Sequence, residues 1–278
     1  MTLYETLTAA INAISSQGYV SPEQVEYWLT RIRDAARGSL MPEPKLQAEL
    51  ERALRAKYAG YVEHGGILAQ HTGLPRFTLE KVKPHLRAEL DRRIVASANL
   101  IKLNRAQAID KTLQRFSGWA TSVPAGGTKN TDKVEEKTRI RSSMTSLPFE
   151  ERRVLIDQGH KLAANLSDTL ARDGGAIAGE WHSNWRQPGY NYRQDHKERD
   201  RLIYLLRTSW ARERGLVKPG PPGCYEDITA CAEEPFCRCR MRWIYQISAL
   251  PADMLTQAGA AAQEAVRGAL AARLRASG

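Results

Sequence analysis

Apolar residues recur at helical spacing through the first half of the chain and lose that period beyond about residue 175. Val25, Trp28, Leu29, Ile32 and Ala36 follow one another three or four positions apart, giving one apolar helix face. Ser21-Pro22-Glu23-Gln24 marks its start as a capping box with proline at the first helical position. Leu46, Leu50 and Leu54 outline a second amphipathic helix, which Gly65-Gly66 should stop. A longer helix is predicted from Leu86 to about Trp119, with Leu90, Ile94, Ala98 and Ile101 on its buried side. Val123-Pro124-Ala125-Gly126-Gly127-Thr128-Lys129-Asn130 reads as a linker, and Thr131 to Met144 is charged and helix-compatible. Ser146-Leu147-Pro148 opens another helix, striped by Leu155, Leu162, Leu166 and Leu170 and ended by Asp173-Gly174-Gly175.

From 176 to 245 the helical period gives way to aromatic residues broken by Pro and Gly, and Arg240 to Ile247 is the best strand candidate. Ala258 to Ala276 has high helix propensity but few large apolar anchors, so it needs a partner surface or frays. No internal repeat is present. The predicted fold is a mainly α N-terminal region followed by a compact α+β C-terminal domain with a small sheet. In residues, that is a helical domain over 1–122, a linker over 123–130, connecting helices over 131–175, the α+β domain over 176–256, and an Ala-rich helix over 257–278.

Composition narrows the class. With 278 residues, 42% hydrophobic and 26% charged, the chain is of ordinary globular type, large enough for one big domain or two modest ones. No run of eighteen apolar residues exists, so no membrane span is expected. The start, Met1-Thr2-Leu3-Tyr4-Glu5, lacks the basic and apolar regions of a signal peptide, so folding in a reducing cytoplasm is expected. There the four cysteines are thiols or metal ligands rather than disulfides.

The net charge of +10 is uneven: residues 81 to 141 hold fourteen Lys/Arg against six acids, a local +8. Arg92, Arg93, Lys102, Arg105, Lys111 and Arg115 fall on the polar side of the long helix, as candidate contacts to the phosphates of double-stranded DNA. A merely solvated basic face fits the same pattern.

Chemically specific residues gather late in the chain. Cys224, Cys231, Cys237 and Cys239 are spaced C-x6-C-x5-C-x-C, not the short knuckles of zinc ribbons. Cys237 and Cys239 share one face if extended, and with His196 or His182 they are candidate zinc ligands; two small thiols pointing into a core is the alternative. His196 reads either as a ring locked by a carboxylate such as Asp200 or by a backbone carbonyl, or as a catalytic group. Asp195, its neighbour in sequence, should point elsewhere. Trp181, Trp185, Tyr190, Tyr192, Tyr204, Trp210, Trp243 and Tyr245, interleaved with Arg186, Arg193, Arg199, Arg201 and Arg207, suggest a fold braced by cation–π stacking. Neither phosphate-binding glycine loop is present, and no nucleophile elbow supports Ser183 or Ser209 as a nucleophile.

Trp185-Arg186-Gln187-Pro188-Gly189-Tyr190, Tyr192 to Asp200, Ser209-Trp210-Ala211, Gly215 to Gly220, Phe236-Cys237-Arg238-Cys239 and Leu250 to Thr256 occur in an order that resembles the C-terminal domain of phage Mu F-like minor head (head morphogenesis) proteins. The likeness covers residues 181–256. In that family Cys237 and Cys239 correspond to the family's own pair, whereas Cys224 and Cys231 are local additions. The resemblance implies a tailed-phage minor capsid protein of the virion head, in several copies per particle, associated with the portal or other head proteins and with packaged DNA. It implies assembly, not an enzyme, and no cofactor; zinc stays possible only from the Cys and His residues themselves. Rival readings are a zinc nuclease, which would need His182, His196 and the Cys pair to converge; a transferase using Glu180; and a host-side DNA-binding regulator, for which no helix-turn-helix is evident.

Overall fold

The computed structural model describes residues 1–127, 138, 142 and 147–276. The segment read as connecting residues after Gly127, including the helix-compatible stretch Thr131 to Met144, lies outside the described residues. The element order is α1 (Leu3–Gln17), α2 (Pro22–Ser39), α3 (Glu43–Tyr58), α4 (Arg76–Ser122), α5 (Leu147–Asp173), β1 (Ala178–His182), α6 (Gln194–Glu198), β2 (Ile203–Leu205), α7 (Trp210–Glu213), β3 (Arg240–Ile244) and α8 (Gln257–Ala276). A mainly helical N-terminal region and a C-terminal part with a small three-stranded antiparallel sheet are thus both present.

The chain divides into two compact units, and neither is contiguous: one comprises residues 1–52 and 94–156, the other 53–93 and 157–278. This differs from the sequence-based division, which kept 1–122 together as one helical domain. An amphipathic stripe shows which face is buried but not which partner buries it, so the allegiance of 53–93 to the C-terminal unit is invisible to periodicity.

In the first unit, α1, α2 and the second half of α4 enclose a core of Leu7, Ile11, Ile14, Ile32, Leu113 and Phe116, with Trp28 and Leu29 half-buried at its edge. α1 opens with a reciprocal capping box, Thr2 accepting from the Glu5 N–H while Glu5 accepts from the Thr2 N–H. Ser21 caps α2 by accepting from the Gln24 N–H. The first part of the expected linker is a packed turn. The Gly126 N–H donates to the Gln17 carbonyl, Val123 is buried, and a side chain at Gly18 would meet the Pro124 carbonyl at 2.0 Å. Close backbone approach, not flexibility, is what the glycines of this corner provide.

α3 carries Leu46, Leu50 and Leu54 as a buried stripe and ends at Tyr58. A single wide turn, Ala59–Glu63, and a tight one, Gly66–Gln70, follow around Gly65, whose φ is +76°. α4 begins at Arg76 rather than Leu86 and carries Pro84 inside it.

In the second unit β1 is central, with β2 and β3 antiparallel on either side; Ala178 lies opposite both Leu205 and Ile244. Alternation along β1 sends Gly179 and Trp181 to one face and Ala178 and Glu180 to the other. The first face packs Trp181, Tyr204, Met241 and Trp243 with three of the cysteines. The second packs Ala178, Leu205, Ile244, Val217, Leu250 and Met254. Gly179 is required here: a Cβ would lie 2.6 Å from Met241 Cε and 3.0 Å from the Trp243 indole. β3 spans Arg240–Ile244, inside the strand expected to reach Ile247. Sequence patterning did not locate β1 or β2, which are short, and β1 is buried or half-buried along its whole length.

α8 is anchored at its start, where the Thr256 hydroxyl accepts from the Gly259 N–H and donates to the Gly215 carbonyl. Beyond that, Val266, Leu270 and Leu274 are exposed along one side of it.

Candidate metal centre

His196, Cys237 and Cys239 meet in the second unit. All three are buried, at 1%, 0% and 5% exposure. The His196 Nδ1 lies 3.5 Å from Cys237 Sγ and 3.6 Å from Cys239 Sγ, and the three donor atoms fall within 4.8 Å of one another. α6 supplies the histidine; the extended segment entering β3 supplies both thiols, its alternate residues turned the same way. The imidazole packs edge-on against Trp181, with 5.3 Å between ring centroids.

The loop bringing the cysteines in is tightly held. Ala232 and Phe236, flanking it, have φ near +61°, a left-handed conformation that costs a non-glycine residue roughly 1–2 kcal/mol. Buried Asp157 accepts from the Phe236 N–H at 2.6 Å, the Tyr190 hydroxyl donates to the Phe236 carbonyl, and Arg193 donates to the Pro235 carbonyl. Arg193 also pairs with Glu234. Several independent contacts thus impose the backbone that presents Cys237.

Electrostatics divide the two thiols. A hydrogen bond from Cys239 holds the Cys237 thiol well below the ordinary thiol range against burial, with help from backbone N–H groups and His196. The same hydrogen bond, with burial, pushes Cys239 up. The two thiols therefore titrate as a coupled pair.

On its far side, His196 Nε2 is buried without a hydrogen-bond partner and lies 3.7 Å from carboxylate oxygens of both Asp195 and Glu234. Two expectations are corrected here. Asp200 does not lock His196: it accepts from the Ser183 N–H and Trp185 Nε1, bracing the turn before α6. Asp195 does face the imidazole: its carboxylate lies 3.7 Å from His196 Nε2 while also pairing at 3.0 Å with Arg199, one turn further along.

The other cysteines stand apart. Cys224 accepts from Arg212, and Cys231 packs in the same cluster but is not among the three mutually close donors. His182 faces Glu180 and Arg201, so the convergence a zinc nuclease needs is not formed among the described residues. Glu180 is held by Arg201 and Arg242 beside a cavity of about 280 Å³. Of the expected cation–π contacts, Arg186 stacks on Trp185 and Arg199 on Trp181, whereas Arg201 and Arg207 form ion pairs instead.

The basic residues of α4 fall in both units. Arg92 is bound through two nitrogens to Glu89, and Arg93 is half-buried with its Nε unpartnered. In the first unit Lys102 pairs with Glu43, and Lys102 and Arg105 share a cleft of about 400 Å³ with Arg33 and Arg37 of α2. Lys111 and Arg115 are exposed. The α2 arginines were missed in sequence, although their i,i+4 spacing on a polar face was a readable signal.

Sequence reasoning also missed a buried polar cluster. His71 lies between the Tyr245 hydroxyl, 2.6 Å from Nδ1, and the Ser167 hydroxyl, 3.1 Å from Nε2. Ser167 accepts from Trp243 Nε1 and donates to Gln70 Oε1. Its single proton is spent on Gln70, so His71 Nε2 must donate to Ser167, and Nδ1 accepts from Tyr245. Burial of this neutral ring pushes its pKa down to about 3. No described helix is long and apolar enough to cross a membrane. In comparisons with known proteins, no family model, no curated protein and no solved structure matches the chain.

Proposed function

We propose that the chain is a structural minor head protein of a tailed phage, acting in head assembly near the portal and contacting packaged DNA. The supporting observation is how the segments that carry the family resemblance lie in the second unit. They are far apart in sequence yet lace into one body: Tyr190 and Arg193 bind the carbonyls before Cys237, and His196 meets Cys237 and Cys239. Arg199 reaches the Thr229 carbonyl, and Asp200 closes the Trp185 turn. An ordered motif set that also folds into a mutually bonded cluster is stronger support for a shared domain than the motifs alone.

The role is architectural. Tyr190, Arg193 and Arg199 are spent on backbone carbonyls of neighbouring loops, as a scaffold requires, and the basic cleft and exposed cations of the first unit give a sequence-independent contact for a polyanion.

The test is quantitative mass spectrometry of purified particles of the phage that encodes the chain, before and after DNA ejection. About six to twelve copies per particle, the range of ring assemblies at a portal, are expected. Absence from the particle would overturn the reading.

A further inference from the structure

We propose that His196 Nδ1, Cys237 Sγ and Cys239 Sγ bind one zinc ion through three protein donors, with a small ligand such as water in the fourth position. The inference rests on the geometry of the second unit and stands whether or not the chain belongs to a phage head.

The first argument is metric. Zinc bonds of about 2.3 Å to sulfur and 2.0–2.1 Å to imidazole nitrogen, at the tetrahedral angle, require a sulfur–nitrogen edge of about 3.5–3.6 Å. The two observed edges are 3.5 and 3.6 Å. The spacing is therefore that of two edges of a zinc tetrahedron.

The second argument is the far side of the ring. A metal on Nδ1 fixes the neutral imidazole with its proton on Nε2. That nitrogen is buried and has no hydrogen-bond partner, yet carboxylates of Asp195 and Glu234 each stand 3.7 Å away. A carboxylate behind the ligating histidine is the usual way a protein orients such a ring.

Charge and softness select the ion. Two thiolates and a neutral imidazole compensate a divalent cation fully, which a site exposed by no more than 5% requires. Two sulfurs and one nitrogen favour zinc over the oxygen-seeking magnesium and calcium. Binding releases the thiol protons to solvent and forms two metal–sulfur bonds and one metal–nitrogen bond, with no change of oxidation state. Cys239, alone of the three donors, also lines a cavity of about 230 Å³ shared with Cys231 and Tyr225, large enough to hold water beside the site.

The test uses the full-length chain purified without chelator. Elemental analysis is expected to find about one zinc per chain. After zinc removal, Co²⁺ titration should give tetrahedral d–d bands and a sulfur-to-cobalt charge-transfer band of two-thiolate intensity. That band should fall to half or less in Cys237→Ser and in Cys239→Ser and keep its full intensity in Cys224→Ser and Cys231→Ser. Because the first two variants risk misfolding, alkylation of the wild-type chain provides an independent readout. Zn²⁺ should protect Cys237 and Cys239 from iodoacetamide, and chelator should expose them. Failure of Co²⁺ to bind, a band of undiminished intensity in Cys237→Ser or Cys239→Ser, a band lost with Cys231 alone, or equal alkylation with and without Zn²⁺ would each overturn the proposal.

Discussion

Acidification should loosen the second unit through His71, by an amount that can be worked out in advance. In the unfolded chain this imidazole titrates near 6.5. In the folded protein burial pushes its pKa down to about 3, and the neighbours that hold it, Tyr245 and Ser167, carry no charge that could welcome a proton. Between those values the unfolded chain binds a proton that the folded one does not, so stability falls as pH falls. The contribution is complete above pH 6.5 and drains steadily toward pH 3. From pH 7 to pH 5 the linkage amounts to about 2 kcal/mol, a sizeable part of a typical domain's stability.

His160 and His182 are also pushed down by burial and act in the same direction, so the wild-type slope alone is not diagnostic. A His71→Gln variant isolates the effect. It should be less stable than wild type at pH 7 and lose about 2 kcal/mol less on going to pH 5. The assay is urea unfolding at pH 7, 6 and 5, followed by hydrogen exchange in peptides covering residues 66–71 and 240–245. Parallel pH dependences in the two proteins would refute the assignment of His71 as a buried neutral group.

Two other outcomes follow from close packing and from exposed charge. Gly179→Ala should cost about 1–3 kcal/mol, because the Trp243 indole it would strike is pinned by Ser167; an unchanged urea midpoint would mean the sheet face yields freely. Substituting Lys111 and Arg115 together by Gln should weaken binding to double-stranded DNA and reduce the magnitude of the log–log salt slope by about 1.8, and an unaltered slope would remove them from the contact surface.

The helices were legible because burial of one face imposes a period on the sequence. Leu46, Leu50 and Leu54, or Leu162, Leu166 and Leu170, declare a helix wherever it finally packs. The His196, Cys237 and Cys239 trio was legible from residue type, since the three were singled out by their chemistry. What no pattern carried was the partnership: His196 and Cys237 are 41 residues apart, and the placement of Asp195 and Glu234 behind the ring depends on loops without a period. The His71 cluster was hidden for the same reason. His71 follows two irregular turns, and its partners Ser167 and Tyr245 lie on elements read only for their apolar stripe or their strand propensity.

Residues 53–93 must wait for the rest of their own unit. Tyr245 emerges from the ribosome 174 residues after His71. At roughly 5–20 residues per second, that interval lasts about 9–35 s. Throughout it Ile67, Leu79, Val82 and Leu86, buried in the finished protein, lack the late strand and loops of the unit they will join. Apolar surface that waits in this way is the kind that chaperones exist to cover. A truncation placed at the compositional boundary near residue 176 would leave it in that state permanently.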